Sequence, residues 1–191
     1  MKIDPSKKLA GLLVPVFALR EENDLGVGDT SAVKKAVDFC SLHQIGVLQT
    51  LPVNETGGDH SPYSAISSVA LDPTLMTVSP AAIPWLSEKD VKELVSDELK
   101  ATLSEGPVKY DQVKKLKHQL LRAAFTQFEK LPKTDAAVKK FEDFQKANDS
   151  WLKPYSLFRT VVDMHDGNVV WTQWEEHFQT PQLTAAWLSK R

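Results

Sequence analysis

Only two segments of this 191-residue chain have the make-up of a buried β-strand, about Gly11–Leu19 and Val47–Leu51, and that shortage limits the fold more than any other feature. Both are short apolar runs without polar alternation, the pattern of a strand covered on both faces. Between them Val33, Ala36, Val37 and Cys40 recur at three- and four-residue spacing, with Lys34, Lys35 and Asp38 opposite. That spacing predicts an amphipathic helix, capped by Asp29 or Thr30 and stopped at Gly46. Strand, helix, strand is a β-α-β unit, a piece of α/β architecture. A complete eight-stranded barrel needs roughly 200 residues or more, and two strands cannot close one.

The second strand runs into Pro52, which lacks the amide hydrogen a central strand would donate. Beyond it lies a loop rich in Asn, Thr, Gly, Asp and His that ends in Ser61-Pro62-Tyr63. A parallel strand delivering a polar, Gly-rich loop at its C-terminal end is how barrels and doubly wound sheets build ligand sites. Hydroxyls, turn carbonyls and one aromatic ring, without a phosphate-cradling pattern, suit a neutral polyhydroxylated ligand. Gly26-Val27-Gly28 does not extend to a dinucleotide fingerprint, because Ser31 stands where the third glycine belongs. The two glycines read as a tight turn before the Asp29-capped helix.

From Ala81 onward the pattern is helical, which puts the expected boundary near Pro80: a β-α-β unit with its loop over 1–80, and a mainly α-helical insertion subdomain over 81–191. Ser87, with Asp90 three residues on, opens one helix to about Leu103. A second, from about Asp111 and ended by Pro132, carries an apolar stripe of Val113, Leu116, Leu120, Ala124, Phe125 and Phe128. A third spans about Asp135–Ala147 and a fourth Asp149–His165, with Pro154 in its early turns. Asp166-Gly167-Asn168 reads as a turn, and Pro181 opens a last helix over Gln182–Lys190.

Net charge of −2 leaves no electrostatic footprint for nucleic acid. The apolar run from Leu9 is interrupted by Pro15 and is too short to span a bilayer, so no membrane association is expected. A single cysteine, Cys40, cannot form an internal disulfide and favours a cytoplasmic setting. The five histidines are dispersed without ligand-like neighbours, so no metal is expected. Trp151, Trp171, Trp174 and Trp187 read first as packing residues and only second as sugar platforms.

Gln49, Leu51, Pro52, Thr56, Gly57, Ser61, Pro62, Tyr63, Ser67, Asp72 and Pro73 form an ordered set. It resembles the opening of the 4-α-glucanotransferases (amylomaltases, or disproportionating enzymes), where a Q-x-L-P strand leads to a Gly-containing loop ending in S-P-Y. Upstream, Gly11–Leu19 and Gly26-Val27-Gly28-Asp29 are similar to that family's first strand and the entry to its first helix. Downstream, Phe144, Trp151-Leu152, Tyr155, Leu157-Phe158, Trp171 and Trp174 are similar to its aromatic pattern. The resemblance implies an α/β fold: the opening β-α-β part of an incomplete (β/α)8 barrel, plus the helical insertion. It implies transfer of α-1,4-glucan segments between malto-oligosaccharides by double displacement and without a cofactor, with Ser61 and Tyr63 lining acceptor-side subsites. Gly58 stands where an aromatic residue would serve a secondary glucan groove, and Asp72-Pro73-Thr74 replaces the usual Asn-Pro-Tyr.

Retaining glycosyl transfer needs two carboxyl groups about 5 Å apart, one nucleophilic and one acid/base. Glu21, Glu22, Glu88, Asp90, Glu142, Asp143, Glu175 and Glu176 all sit in charged surroundings on expected surfaces. No segment matches the family's catalytic motifs, so no catalytic residue is assigned and the chain alone is expected to be inactive. Its expected partners are a malto-oligosaccharide, together with self-association or pairing with the remainder of a barrel. The alternatives are a non-catalytic α-glucan-binding module or an interaction subunit.

Overall fold

A computed structural model describes residues 8–189 of the chain, so the readings of Met1–Lys7 and of Lys190 lie outside the described residues. Strand β1 (Gly11–Leu13) pairs in parallel with β2 (Val47–Gln49), in the register Gly11↔Val47, Leu12↔Leu48 and Leu13↔Gln49. Helix α1 (Thr30–Leu42) forms the crossover. Both strands are shorter than expected. Past Val14, Pro15 opens a 3-10 turn, Val16–Ala18, that carries Val16 into the core.

The expectation of strands buried on both faces is corrected. Leu12 is 41% exposed and Leu13 61%. A two-stranded sheet covers too little surface to shield its own side chains. An open groove of about 600 Å³ runs beside it, walled by Leu12, Leu13, Leu48 and Phe39 with Arg20 and Lys35 at its rim.

Local signals set the start of α1. The Asp29 carboxylate accepts from the amides of Ser31 (2.8 Å) and Ala32 (3.4 Å). Gly26 has φ of +87°, and a Cβ at Gly28 would collide with the Val16 and Leu19 carbonyl oxygens. The paired glycines therefore serve a close backbone approach, as the turn reading requires. At the other end α1 closes at Leu42, four residues before Gly46, and Gln44 adopts a left-handed φ of 57° just past the His43 cap.

Helix α2 (Glu88–Leu94) has a reciprocal capping box between Ser87 and Asp90. The single helix expected from Ser87 to Leu103 is interrupted: Ser96 accepts from Leu99 N at 3.1 Å and caps a separate α3 (Asp97–Ser104). A second N-cap followed by Asp97 and Glu98 is a strong local restart signal. Helix α4 (Tyr110–Phe128) buries Val113, Leu116, Leu120 and Ala124 of the predicted stripe, whereas Phe125, near the helix end, is 47% exposed. The buried residues join Val16, Val27, Leu75, Val78, Leu86 and Leu103 in one core. That core crosses the expected boundary at Pro80, because the stripe of α4 needs the apolar residues on both sides of it. By packing, one compact unit ends at Lys130 and a second begins at Leu131.

The second unit holds α5 (Ala136–Ala147), α6 (Asp149–Met164) and α7 (Pro181–Leu188). Asp135 caps α5 and Thr180 caps α7, which opens at Pro181 as predicted. Val161, Val162, Trp174 and Phe178 form its core, joined by Phe158, Val169 and Trp187. The turn after α6 uses left-handed Asp166 and Gly167. Just before it, His165 bridges Val161 O and the Glu175 carboxylate, both at 2.8 Å.

Candidate functional site

Beyond β2 the chain folds back on itself as a loop with two antiparallel bridges, Asn54↔Leu71 and Thr56↔Ala65. The amide of Glu55 donates to Ala70 O (3.0 Å), Ile66 N to Glu55 O (2.8 Å) and Asp72 N to Val53 O (2.9 Å). At the tip, Asp59 accepts from Ser61 N at 3.2 Å and Ser64 N donates to Ser61 O at 2.9 Å. Hydrogen bonding from the Ser64 side chain and the Ser61 amide holds the Asp59 carboxyl below its ordinary range. His60 takes a left-handed φ of 53°. The base is gathered by Ser67, whose hydroxyl accepts from Val69 N and Ala70 N.

Asp72 is the hub of this loop. Its Oδ1 accepts from Thr74 N (2.8 Å) and Thr74 Oγ1 (2.7 Å). Its Oδ2 accepts from Thr56 N (3.2 Å) and Thr56 Oγ1 (3.0 Å). One buried carboxylate therefore ties the outgoing limb to the returning one. On the next turn Lys117 of α4, fully buried, donates from Nζ to Thr74 O and Met76 O, each at 2.7 Å. Burial pulls its pKa down to about 8, against the raising influence of Asp29, Asp24 and Asp72. Thr77 completes the base, with its hydroxyl donating to Asp29 at 2.8 Å and its amide donating to Thr30 Oγ1 at 3.1 Å.

The tip is held from the same helix. The His60 ring stacks on Tyr110 (4.9 Å between centroids, 10° between planes), and His60 Nε2 lies 3.2 Å from Asp111 Oδ1. Phe17 meets Tyr110 edge-on at 6.1 Å. Burial first and the Asp72 charge second push the Tyr110 phenol above its ordinary pKa. The cavity enclosed between the loop and α4, bordered by Asn54, Thr56, His60, Asp72 and Tyr110, measures about 20 Å³. That is room for one water, far below the several hundred Å³ of a small-molecule pocket.

The two sequence-predicted site residues stand on the outer side of this braced loop. Ser61 is half-buried and its Oγ accepts from Tyr63 N at 3.4 Å; Tyr63 is 76% exposed. Neither borders the small cavity behind the loop. Asp72, Lys117, Tyr110 and Glu55, none of them among the sequence-predicted site residues, are drawn inward by the fold. The signals that could have found two of them are the Asp-Pro-Thr turn at 72–74 and a lysine at a stripe position of α4, four residues after Val113.

Residues 14–191 match the sequence model of the 4-alpha-glucanotransferases. The chain belongs to that family. It is 31% identical over 162 residues to the 4-alpha-glucanotransferase of Chlamydia muridarum, covering 84% of this chain and 29% of the relative. The Synechocystis 4-alpha-glucanotransferase is 28% identical over 185 residues, 95% of this chain and 35% of that protein. The chain thus spans about a third of the length of the relatives it matches. In fold it is similar to the amylomaltase from Streptococcus agalactiae in complex with acarbose: TM-score 0.72, 20% identity, 96% of this chain and 36% of that one. Among the described residues of this family member, no helix is long and apolar enough to cross a membrane.

Proposed function

We propose that this chain is the N-terminal part of an enzyme that transfers α-1,4-glucan segments from a malto-oligosaccharide donor to an acceptor sugar, in the cytoplasm and without a cofactor. By origin, residues 1–80 supply the first β-α-β unit of a barrel and 81–191 its helical insertion. Its share in the reaction is acceptor-side binding: the Tyr63 ring packs against a glucose face, and the Ser61 hydroxyl bonds a sugar hydroxyl. The observation that carries this is the pairing of an exposed aromatic ring with a loop fastened along its whole inner side. A rigid, outward-facing ring loses little conformational freedom when a sugar stacks on it.

The chemistry is a double displacement. A carboxylate attacks the anomeric carbon as the glycosidic C–O bond breaks, and a carboxylic acid protonates the departing oxygen. The same group then takes the proton of the acceptor hydroxyl, whose oxygen displaces the carboxylate from the anomeric carbon with retention. We assign both carboxyl groups to polypeptide outside these 191 residues. Among the described residues β1 and β2 pair only with each other, so each keeps an open edge for a further strand, and the exposed Leu12 and Leu13 offer an apolar face for cover, from that polypeptide or from a second copy.

Calorimetry with maltotriose tests the binding role. The parent chain is expected to bind saturably and Tyr63→Ala to weaken binding about tenfold, the loss of one sugar–ring contact of roughly 1.4 kcal/mol. Glucose release from maltotriose by the 191 residues alone should stay at the background rate. Binding that is indifferent to Tyr63, or enzyme-like turnover, would refute this reading.

A further inference from the structure

Helix α4 lies outside the loop that carries Ser61 and Tyr63, yet it touches that loop at both ends. Tyr110 and Lys117 are seven residues apart, two helical turns, and so lie on one face about 10 Å apart along the axis. Tyr110 stacks on the face of His60 at the tip, three residues before Tyr63, while Asp111 lies 3.2 Å from Nε2 of the same imidazole. Lys117 gathers the carbonyls of Thr74 and Met76 at the loop's exit. From Thr74 the connection continues through Asp72 to Thr56 on the opposite limb.

We propose that α4 sets the pose of the sugar-facing loop, with Tyr110 as the positioning residue for its tip and Lys117 for its base. Neither residue contacts sugar. This rests on the acceptor-side reading of Ser61 and Tyr63 and adds what makes that surface rigid. Without the Tyr110 ring, left-handed His60 loses its stacking partner, and the 57–64 turn keeps its internal hydrogen bonds and a single contact to α4, from His60 to the exposed Asp111 carboxylate. A tip that samples several poses must be ordered when sugar binds, which lowers affinity while leaving the contact residues intact.

Three variants of the full chain test this by amide hydrogen exchange, thermal unfolding and maltotriose calorimetry. Tyr110→Leu keeps an apolar group against Phe17 but removes the stack. It should speed exchange at amides 57–64 about tenfold and weaken maltotriose about fivefold, with α4 amides and the unfolding midpoint close to the parent's. Tyr110→Phe keeps the stack and should restore both properties. Lys117→Met should instead speed exchange at amides 72–77. If Lys117→Met fails to fold, the Tyr110 pair still decides. Parent-like exchange at 57–64 in Tyr110→Leu, or equal losses in the Leu and Phe variants, would overturn the proposal. Should the parent itself not bind maltotriose, the glucan reading fails, and the exchange comparison still decides whether α4 holds the loop.

Discussion

Replacing Asp72 should show how much of the loop depends on one buried carboxylate. Four donors converge on it, two amides and two hydroxyls, at 2.7 to 3.2 Å. In Asp72→Ala the Thr56 and Thr74 hydroxyls can rotate to other acceptors, but the two amides cannot. A buried donor left without an acceptor costs about 1–3 kcal/mol, so the pair costs roughly 4 kcal/mol, a large share of the 5–15 kcal/mol that holds an ordinary domain. Asp72→Asn keeps one oxygen for Thr74 and turns an NH2 group toward the Thr56 amide, so its cost should be nearer 1–2 kcal/mol. Urea unfolding supplies the free energies, and amide exchange at Thr56 and Thr74 shows whether the loss is local. Both amides should lose protection in the Ala variant, and only Thr56 in the Asn variant. If Asp72→Ala lay within about 0.5 kcal/mol of the parent, or exchanged like it, the carboxylate would not be the clasp described here.

Gly28→Ala should cost about 3 kcal/mol or more, since its Cβ would meet the carbonyl oxygens of Val16 and Leu19; chemical denaturation checks this. Lys117 has its pKa lowered in the folded state from 10.5 to about 8, so the unfolded chain binds more protons between those values and stability should rise with pH across that window. The rise should be on the order of 3 kcal/mol, and Lys117→Met should flatten it in urea titrations at successive pH values. His165 is held above 6.5 chiefly by its hydrogen bond to Glu175, which is itself lowered. The stability His165 contributes is therefore complete below pH 6.5 and is lost as pH climbs through the higher folded value. Proton NMR should show Glu175→Gln returning its titration toward 6.5.

What could be read from the sequence is what neighbours in the chain decide. Asp29, Ser87, Asp135 and Pro181 open their helices as expected, because a cap acts within three residues of itself. The stripe of α4 lies where its spacing put it from Val113 to Ala124, and fails at the exposed Phe125. The break at Ser96 is equally local, a second N-cap inside an amphipathic stretch. Strand burial was not legible, since it depends on how many strands flank the pair. Nor was the shared core, because the partners of α4 come from Val16 and Leu75, far back in the chain. In the site, the exposed Ser-Pro-Tyr turn was readable as a turn. Its bracing was not: Thr56 and Asp72 are sixteen residues apart, and Lys117 lies more than forty from the carbonyls it holds.

Titration of the isotopically labelled chain with acarbose, followed by amide and tyrosine-ring NMR shifts, addresses the central claim most directly. The account predicts saturable shifts concentrated at residues 57–64 and at the Tyr63 ring, absent in Tyr63→Ala. Shifts centred elsewhere in the chain, or none at millimolar sugar, would contradict it.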